Sequence, residues 1–251
     1  MYKRQSSTGA ATLLAHLGVR RAESSWPSWV QLDHEDKRRI TTEAVRRMLA
    51  DGAAGNSIAR LFGEVYEFPA EPVGTATHEA KEFATLLNST ARYGREDVGL
   101  ALVMGDRGDA LAAANDLLRG HRKHLIESVH LVRELGMRDR RLLQWFHGGD
   151  RIRDTVVGVV AGMLFKHGVA TNEKAIVGFA NADPASVKAS VRGTSVLVRR
   201  GLDLSKAVAA AASAVGGEGG GHRIAAGATI PLGSEPRFLD ALEHAIGSQI
   251  G

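Results

Sequence analysis

Apolar residues recur every three or four positions through most of the first 135 residues, the signature of helices that bury one face. Ala11, Leu13, Leu14 and Leu17 share this spacing and Gly18 supplies a stop, whereas residues 1–8 carry no period. After the connector Trp26-Pro27-Ser28-Trp29, the stripe Ile40, Ala44, Val45, Met48 and Leu49 predicts a charged helix over 33–49, ended by Gly52 and Gly55. Residues 69–74, rich in Pro and Gly, predict a loop. Ala80, Phe83, Ala84, Leu87 and Ala91 then predict a helix over 78–93. The longest run, 109–135, keeps Leu111, Ala114, Leu118, Leu125, Val129 and Val132 in phase, with Gly120 as a local weak point.

The texture changes after Trp145-Phe146 and the turn Gly148-Gly149-Asp150, where small apolar residues such as Val156, Val157, Val160 and Ala161 take over. We expect a boundary near Gly149, with a mainly helical connecting region over 1–149 and a compact α/β domain over 150–251. Residues 175–180 fit a buried strand. Residues 186–193 alternate, with Val187, Ala189 and Val191 on one face and Ser186, Lys188, Ser190 and Arg192 on the other. Residues 204–215 predict an alanine-rich helix that Asp203 or Ser205 can cap. A glycine-rich stretch, a strand over 228–230, Pro231 and a helix carrying Phe238, Leu239, Leu242 and Ile246 complete the pattern.

Composition removes options more than it chooses one. With 251 residues and 44% hydrophobic content the chain can build a sizeable core. No long apolar run predicts a membrane span and no leader pattern is visible, so the cytoplasm is the expected compartment. The absence of cysteine excludes disulfides, thiolate catalysis and cysteine-held zinc. A net charge of +4 argues little, but residues 119–153 concentrate arginine, lysine and histidine. Such a segment is either a polyanion-binding face or an ordinary solvated helix face.

Two features could hold an anion. In Gly216-Gly217-Glu218-Gly219-Gly220-Gly221-His222 the missing Cβ atoms let backbone N–H groups approach a phosphate, and a helix over 223–226 would add its N-terminal dipole. The stretch is neither a Walker loop nor a dinucleotide fingerprint, and a flexible turn is the competing reading. His222 could donate to a phosphate oxygen. On the alternating strand, Lys188, Ser190 and Arg192 stand about 6.6 Å apart in succession and could follow a nucleic-acid backbone; a solvated strand face is the alternative.

Residues 186–193, followed by Arg200-Gly201-Leu202-Asp203-Leu204 and by residues 216–228 with their glycine-histidine-alanine-alanine-glycine order, resemble the DHHA1 substrate-binding domain of DHH phosphoesterases. Residues 82–92 are similar to the segment that joins the two lobes in archaeal RecJ-like proteins, with Ala91 standing where a glycine is expected before Arg92. The resemblance implies a bilobed enzyme whose DHH lobe holds two divalent metals, Mn2+ or Mg2+, while the DHHA1 lobe grips a single-stranded nucleic acid. By position, Gly219, Gly220, Gly221 and His222 would bind the phosphate beside the scissile bond. Arg192 would hold a neighbouring phosphate or base, with Lys188, Ser190 and Arg92 as further contacts.

The chain contains no Asp-His-His triplet, and its histidines form no His-x-x-x-His or His-Glu-x-x-His ligand pair on a helix. Asp33-His34-Glu35-Asp36 reads better as a charged helix start. We therefore expect no catalytic or metal-holding residue in this chain, and the abrupt start at Met1-Tyr2-Lys3-Arg4-Gln5 favours a piece of a larger enzyme. The alternatives are a free-standing DHHA1 module that docks to a replication or repair protein, and a phosphodiesterase for short oligonucleotides or cyclic dinucleotides. The related domain of alanyl-tRNA synthetases fits least, because it lacks the His-x-x-Ala-Ala-Gly continuation.

Overall fold

A computed structural model describes residues 7–19, 26–27, 29–53, 55–59 and 61–250, the side chains of 7, 8 and 56 excepted. The chain divides into two compact units, Met1–Asn88 and Ser89–Gly251. In order along the chain lie α1 (Ser7–His16), α2 (His34–Ala50), α3 (Gly55–Ala59), α4 (Ala80–Arg92), α5 (Glu96–Val103), α6 (Asp109–Leu135), β1 (Arg138–Asp139) and β2 (Leu143–His147). They are followed by α7 (Asp154–Lys166), β3 (Ala175–Asp183), β4 (Ser186–Arg192), α8 (Ser195–Arg199), α9 (Leu204–Ser213), β5 (Glu218–Gly221), β6 (Ala225–Pro231) and α10 (Glu235–Ile250). The fold is mixed α/β, as the pattern predicts.

In the first unit, Asp33 caps α2 by accepting a hydrogen bond from the Asp36 N–H at 2.7 Å, so the charged tetrad is a helix start and not a ligand cluster. Glu43 accepts from both Arg46 and Arg47, at 2.6 and 2.7 Å, which holds its carboxyl down at about 2. Gly18 takes a positive φ of 71° after α1, where the sequence places a stop. The expected loop is anchored by a bridge between Glu67 and Glu79 and by an edge-to-face contact of Phe68 with Phe83. The connector residue Ser28 and residues 1–6 lie outside the described residues.

The second unit is built on a six-stranded sheet in the order β1-β2-β3-β4-β6-β5. β2 and β3 are parallel, and the helix between them, α7, makes the crossover that parallel neighbours require. The other pairings are antiparallel. On one face, Val177, Phe179, Val187, Ala189, Val191, Ala228 and Ile230 pack with apolar residues of α9 and α10. On the other, Phe146, Ile176 and Ala180 pack under α7, which carries Val156, Val157, Val160, Ala161 and Leu164 and is backed by Val129 and Val132 of α6. β3 is buried on both faces over its first six residues, the reason it reads as a continuous apolar run. Gly178 lies against the Phe146 ring and Val157, and a Cβ there would come within 2.6 Å of the ring.

The helix expected over 109–135 is α6, and Gly120 does not interrupt it. Asp203 caps α9 by accepting from the N–H and hydroxyl of Ser205. Three strands were not legible. β1 has two residues, β2 hides both faces and so shows no alternation, and β5 is Glu-Gly-Gly-Gly, a sequence of low β-propensity that is held by pairing with β6. The helix considered over 223–226 does not form, because Ala225 and Ala226 already belong to β6. The texture change at Gly149 falls inside the second unit, at the turn between β2 and α7.

Candidate nucleic-acid interface

The register of β4, β6 and β5 determines which of the expected residues share a face. Lys188 pairs with Thr229 and Thr229 with Glu218; Ser190 pairs with Gly227 and Gly227 with Gly220. Arg192 pairs with Ala225, and the ladder continues one step further because the His222 N–H donates to the Ala225 carbonyl at 2.8 Å while the Ala225 N–H donates back at 3.2 Å. Directly paired residues project to the same side of a sheet. Three cross-strand rows therefore stand on one face: Arg192, Ala225 and His222; then Ser190, Gly227 and Gly220; then Lys188, Thr229 and Glu218. With strands about 4.8 Å apart, Arg192 and His222 rise from backbones about 10 Å apart.

The middle row forms a floor. A Cβ added to Gly220 would meet nothing within 4 Å, and one added to Gly227 would meet only the Ala189 carbonyl and the Cε of Lys188. The Lys188 stem therefore lies alongside the floor. Gly219 and Gly221 belong to the opposite face. At Gly219 a Cβ would come within 2.9 Å of Ala228 and 3.1 Å of Ala212 on α9; Gly221 holds a φ of 144°. Of the three glycines expected to touch phosphate, Gly220 alone faces the shelf, and the other two are glycine because packing and backbone conformation require it.

Helix α7 packs over β3 and β4 and forms the wall of this shelf. Ser190 is consequently buried, at 6% exposure, and Arg192 half-buried, so this strand face is not the freely solvated one its alternation suggests. Gly158 makes the arrangement possible. A Cβ at that position would overlap the Arg192 guanidinium and stand 3.1 Å from the Ser190 hydroxyl. Arg192 donates to its neighbour's carbonyl on Val191 at 2.9 Å and reaches the Ala226 carbonyl at 3.4 Å. Burial, and then the charge of Arg92, pull its guanidinium below the ordinary value, although an arginine remains cationic. His222 is exposed at the hairpin end of the shelf.

Arg92 joins this group from the end of α4. Its guanidinium donates to the Thr155 carbonyl on the first turn of α7, and the Thr155 hydroxyl donates back to the Arg92 carbonyl at 3.0 Å. The substitution of alanine for the expected glycine at position 91 leaves Arg92 anchored beside α7. Lys188, Ser190, Arg192, Gly220, His222 and Arg92 thus fall in one region, whereas the basic segment 119–153 disperses. Arg119 pairs with Asp116, Arg140 with Asp240 at 2.6 Å, and Arg138 covers Trp145 at 4.8 Å. From that segment, Arg153 and His121 lie close to Arg92 through Tyr93, a connection that no local pattern announces.

Among the described residues no group of three or more His, Asp or Glu side chains is arranged to hold a metal ion. The donors among the described residues do not fit the two-metal centre that the resemblance implies for a full-length enzyme. No helix among the described residues is long and apolar enough to cross a membrane.

Residues 143–248 match the family model of the DHHA1 domain. An uncharacterized protein of Methanocaldococcus jannaschii is 29% identical over 224 residues; the match covers 89% of this chain, which spans 45% of that relative's length. Among solved structures, RecJ of Thermus thermophilus in complex with Mn2+ aligns with a TM-score of 0.54 at 16% identity, covering 84% of this chain and 30% of RecJ. CDC45 from Entamoeba histolytica aligns with a TM-score of 0.50 at 10% identity, covering 96% of this chain and 50% of CDC45. At these identities the structural likeness speaks for the fold. The chain therefore carries a region, residues 143–248, that matches the DHHA1 domain, and its fold is similar to that of RecJ.

Proposed function

We propose that the second unit is the nucleic-acid-gripping part of a RecJ-like phosphodiesterase, binding a single strand along the shelf between α7 and the β5–β6 hairpin. The reading rests on one observation: the sheet register puts Lys188, Arg192 and His222 around an open glycine floor, with Arg92 beside them. Gly220 and Gly227 let a sugar-phosphate backbone lie close to the sheet. Arg192 and Lys188 neutralise phosphate charge, the first by a planar fork and the second as a point charge. The His222 imidazole closes the row as a donor.

Hydrolysis belongs, on this reading, to a DHH lobe carrying Mn2+ or Mg2+, and this chain alone grips without cleaving. The test is fluorescence anisotropy with a labelled single-stranded DNA or RNA oligonucleotide at several salt concentrations, with cleavage followed in parallel in the presence of Mn2+. The expected result is binding that weakens steeply with salt and no turnover. Salt-independent binding, or Mn2+-dependent cleavage by purified chain free of contaminating nuclease, would overturn the reading.

A further inference from the structure

Beyond the wall of the shelf the positive charge continues. Tyr93 directly follows Arg92 and carries two groups from other helices. The Arg153 guanidinium, at the start of α7, lies 5.0 Å from the Tyr93 ring centroid, and Nδ1 of His121 on α6 stands 3.3 Å from the Tyr93 hydroxyl. The His121 ring meets the Tyr93 ring edge-on at 5.7 Å. Arg92 couples this group to the shelf, since its charge acts on both Arg192 and His121. His124, one turn along α6, acts on His121 as well, and its Nε2 is buried without a hydrogen-bond partner among the described residues.

Among the described residues no carboxylate forms an ion pair with Arg92, Arg153 or Arg192, whereas Arg119 pairs with Asp116 and Arg140 with Asp240. Guanidiniums held this close without an ion-paired carboxylate repel one another, and burial adds a desolvation cost at Arg192. A chain of phosphates offsets the repulsion. Arg153 is exposed and His121 and Arg92 are half-buried, so the group is open to a ligand.

We propose that Arg153 and His121, held in place by Tyr93, form a second phosphate subsite that takes the next phosphodiester of the strand gripped on the shelf. The site then reads length: a mononucleotide fills the shelf, and a longer strand also reaches Arg153 and His121. This inference rests on the shelf reading above and extends it across the first turn of α7.

The experiment compares a labelled mononucleotide with a labelled single-stranded hexanucleotide, on the whole chain, for wild type, Arg153→Gln, Arg153→Lys, His121→Gln and Arg192→Ala. Thermal melts confirm that each variant is folded. Arg153→Gln and His121→Gln are expected to weaken the hexanucleotide by about tenfold, the loss of one charge-assisted contact. They should leave the mononucleotide within about twofold, the span of a non-contacting surface change. Arg153→Lys should retain most of the affinity, and Arg192→Ala should weaken both ligands. If Arg153→Gln and His121→Gln leave the hexanucleotide unaffected while Arg192→Ala weakens both ligands, the second subsite is wrong and the shelf stands. Absence of hexanucleotide binding by the wild type would overturn both.

Discussion

Arg192 is set by a glycine on another element. Gly158 lies under its guanidinium, so Gly158→Ala pushes the flexible end of Arg192 aside without forcing backbone to move. Alanine is also the better helix former, by about 1 kcal/mol. The expected outcome is a melting temperature equal to or above that of wild type together with oligonucleotide affinity reduced several-fold, measured by calorimetry and anisotropy on the same samples. His121 gives a pH signature. Burial, and then the charges of Arg92 and His124, lower its pKa from the ordinary 6.5, so the folded protein resists the proton that the unfolded chain accepts. The stability this neutral form contributes is full above the unfolded value and is lost as pH falls below it. Urea titrations at pH 7.5 and pH 5 should show wild type losing more stability on acidification than His121→Gln; equal losses would contradict the account.

At the scale of elements, the long and strongly periodic segments were legible and the short ones were not. Residues 109–135 announce α6 because a 27-residue helix repeats its apolar stripe many times. Asp203 announces the start of α9 by its capping chemistry. β2 and β5 gave no such signal, the first because both its faces are buried and the second because glycine has no side chain to alternate. β5 matters most: in a loop all three glycines are available to phosphate, and only as a strand do they separate into Gly220 on one face and Gly219 and Gly221 on the other. The helix layers on both sides of β3 give a stability prediction. Phe179 is fully buried and meets Trp145, His147 and Phe238 within 6.1 Å. Phe179→Ala should cost about 3–5 kcal/mol in urea unfolding.

For the molecule as a whole, the candidate site was visible in the sequence as two separate stretches, and the fold is what joins them. Strands β4 and β6 carry Arg192 and Ala225 side by side although they are far apart in the chain, and the hairpin adds His222 to that row. The resemblance of residues 186–193 and 216–228 to DHHA1 domains pointed to the same residues, and the family match over 143–248 agrees with it. In sequence, residues 119–153 form a basic segment that could be either a polyanion-binding face or a solvated helix face. Their charges instead go to separate tasks, with Arg140 tying β1's flank to α10, Arg138 covering Trp145, and Arg153 with His121 turning toward Tyr93. Linear charge density was a poor guide because successive residues on a helix point in different directions.

The central claim is that the open glycine floor is where the strand lies, and one substitution tests it with little ambiguity. A Cβ at Gly220 meets no protein atom within 4 Å beyond its chain neighbours, so Gly220→Val starts its added bulk in open space on the shelf, and valine suits a strand better than glycine does. Anisotropy with a single-stranded oligonucleotide should show affinity reduced by about tenfold or more, the cost of losing close backbone approach, at unchanged or higher melting temperature. Unchanged affinity in a folded Gly220→Val protein would contradict the account and move the binding surface elsewhere.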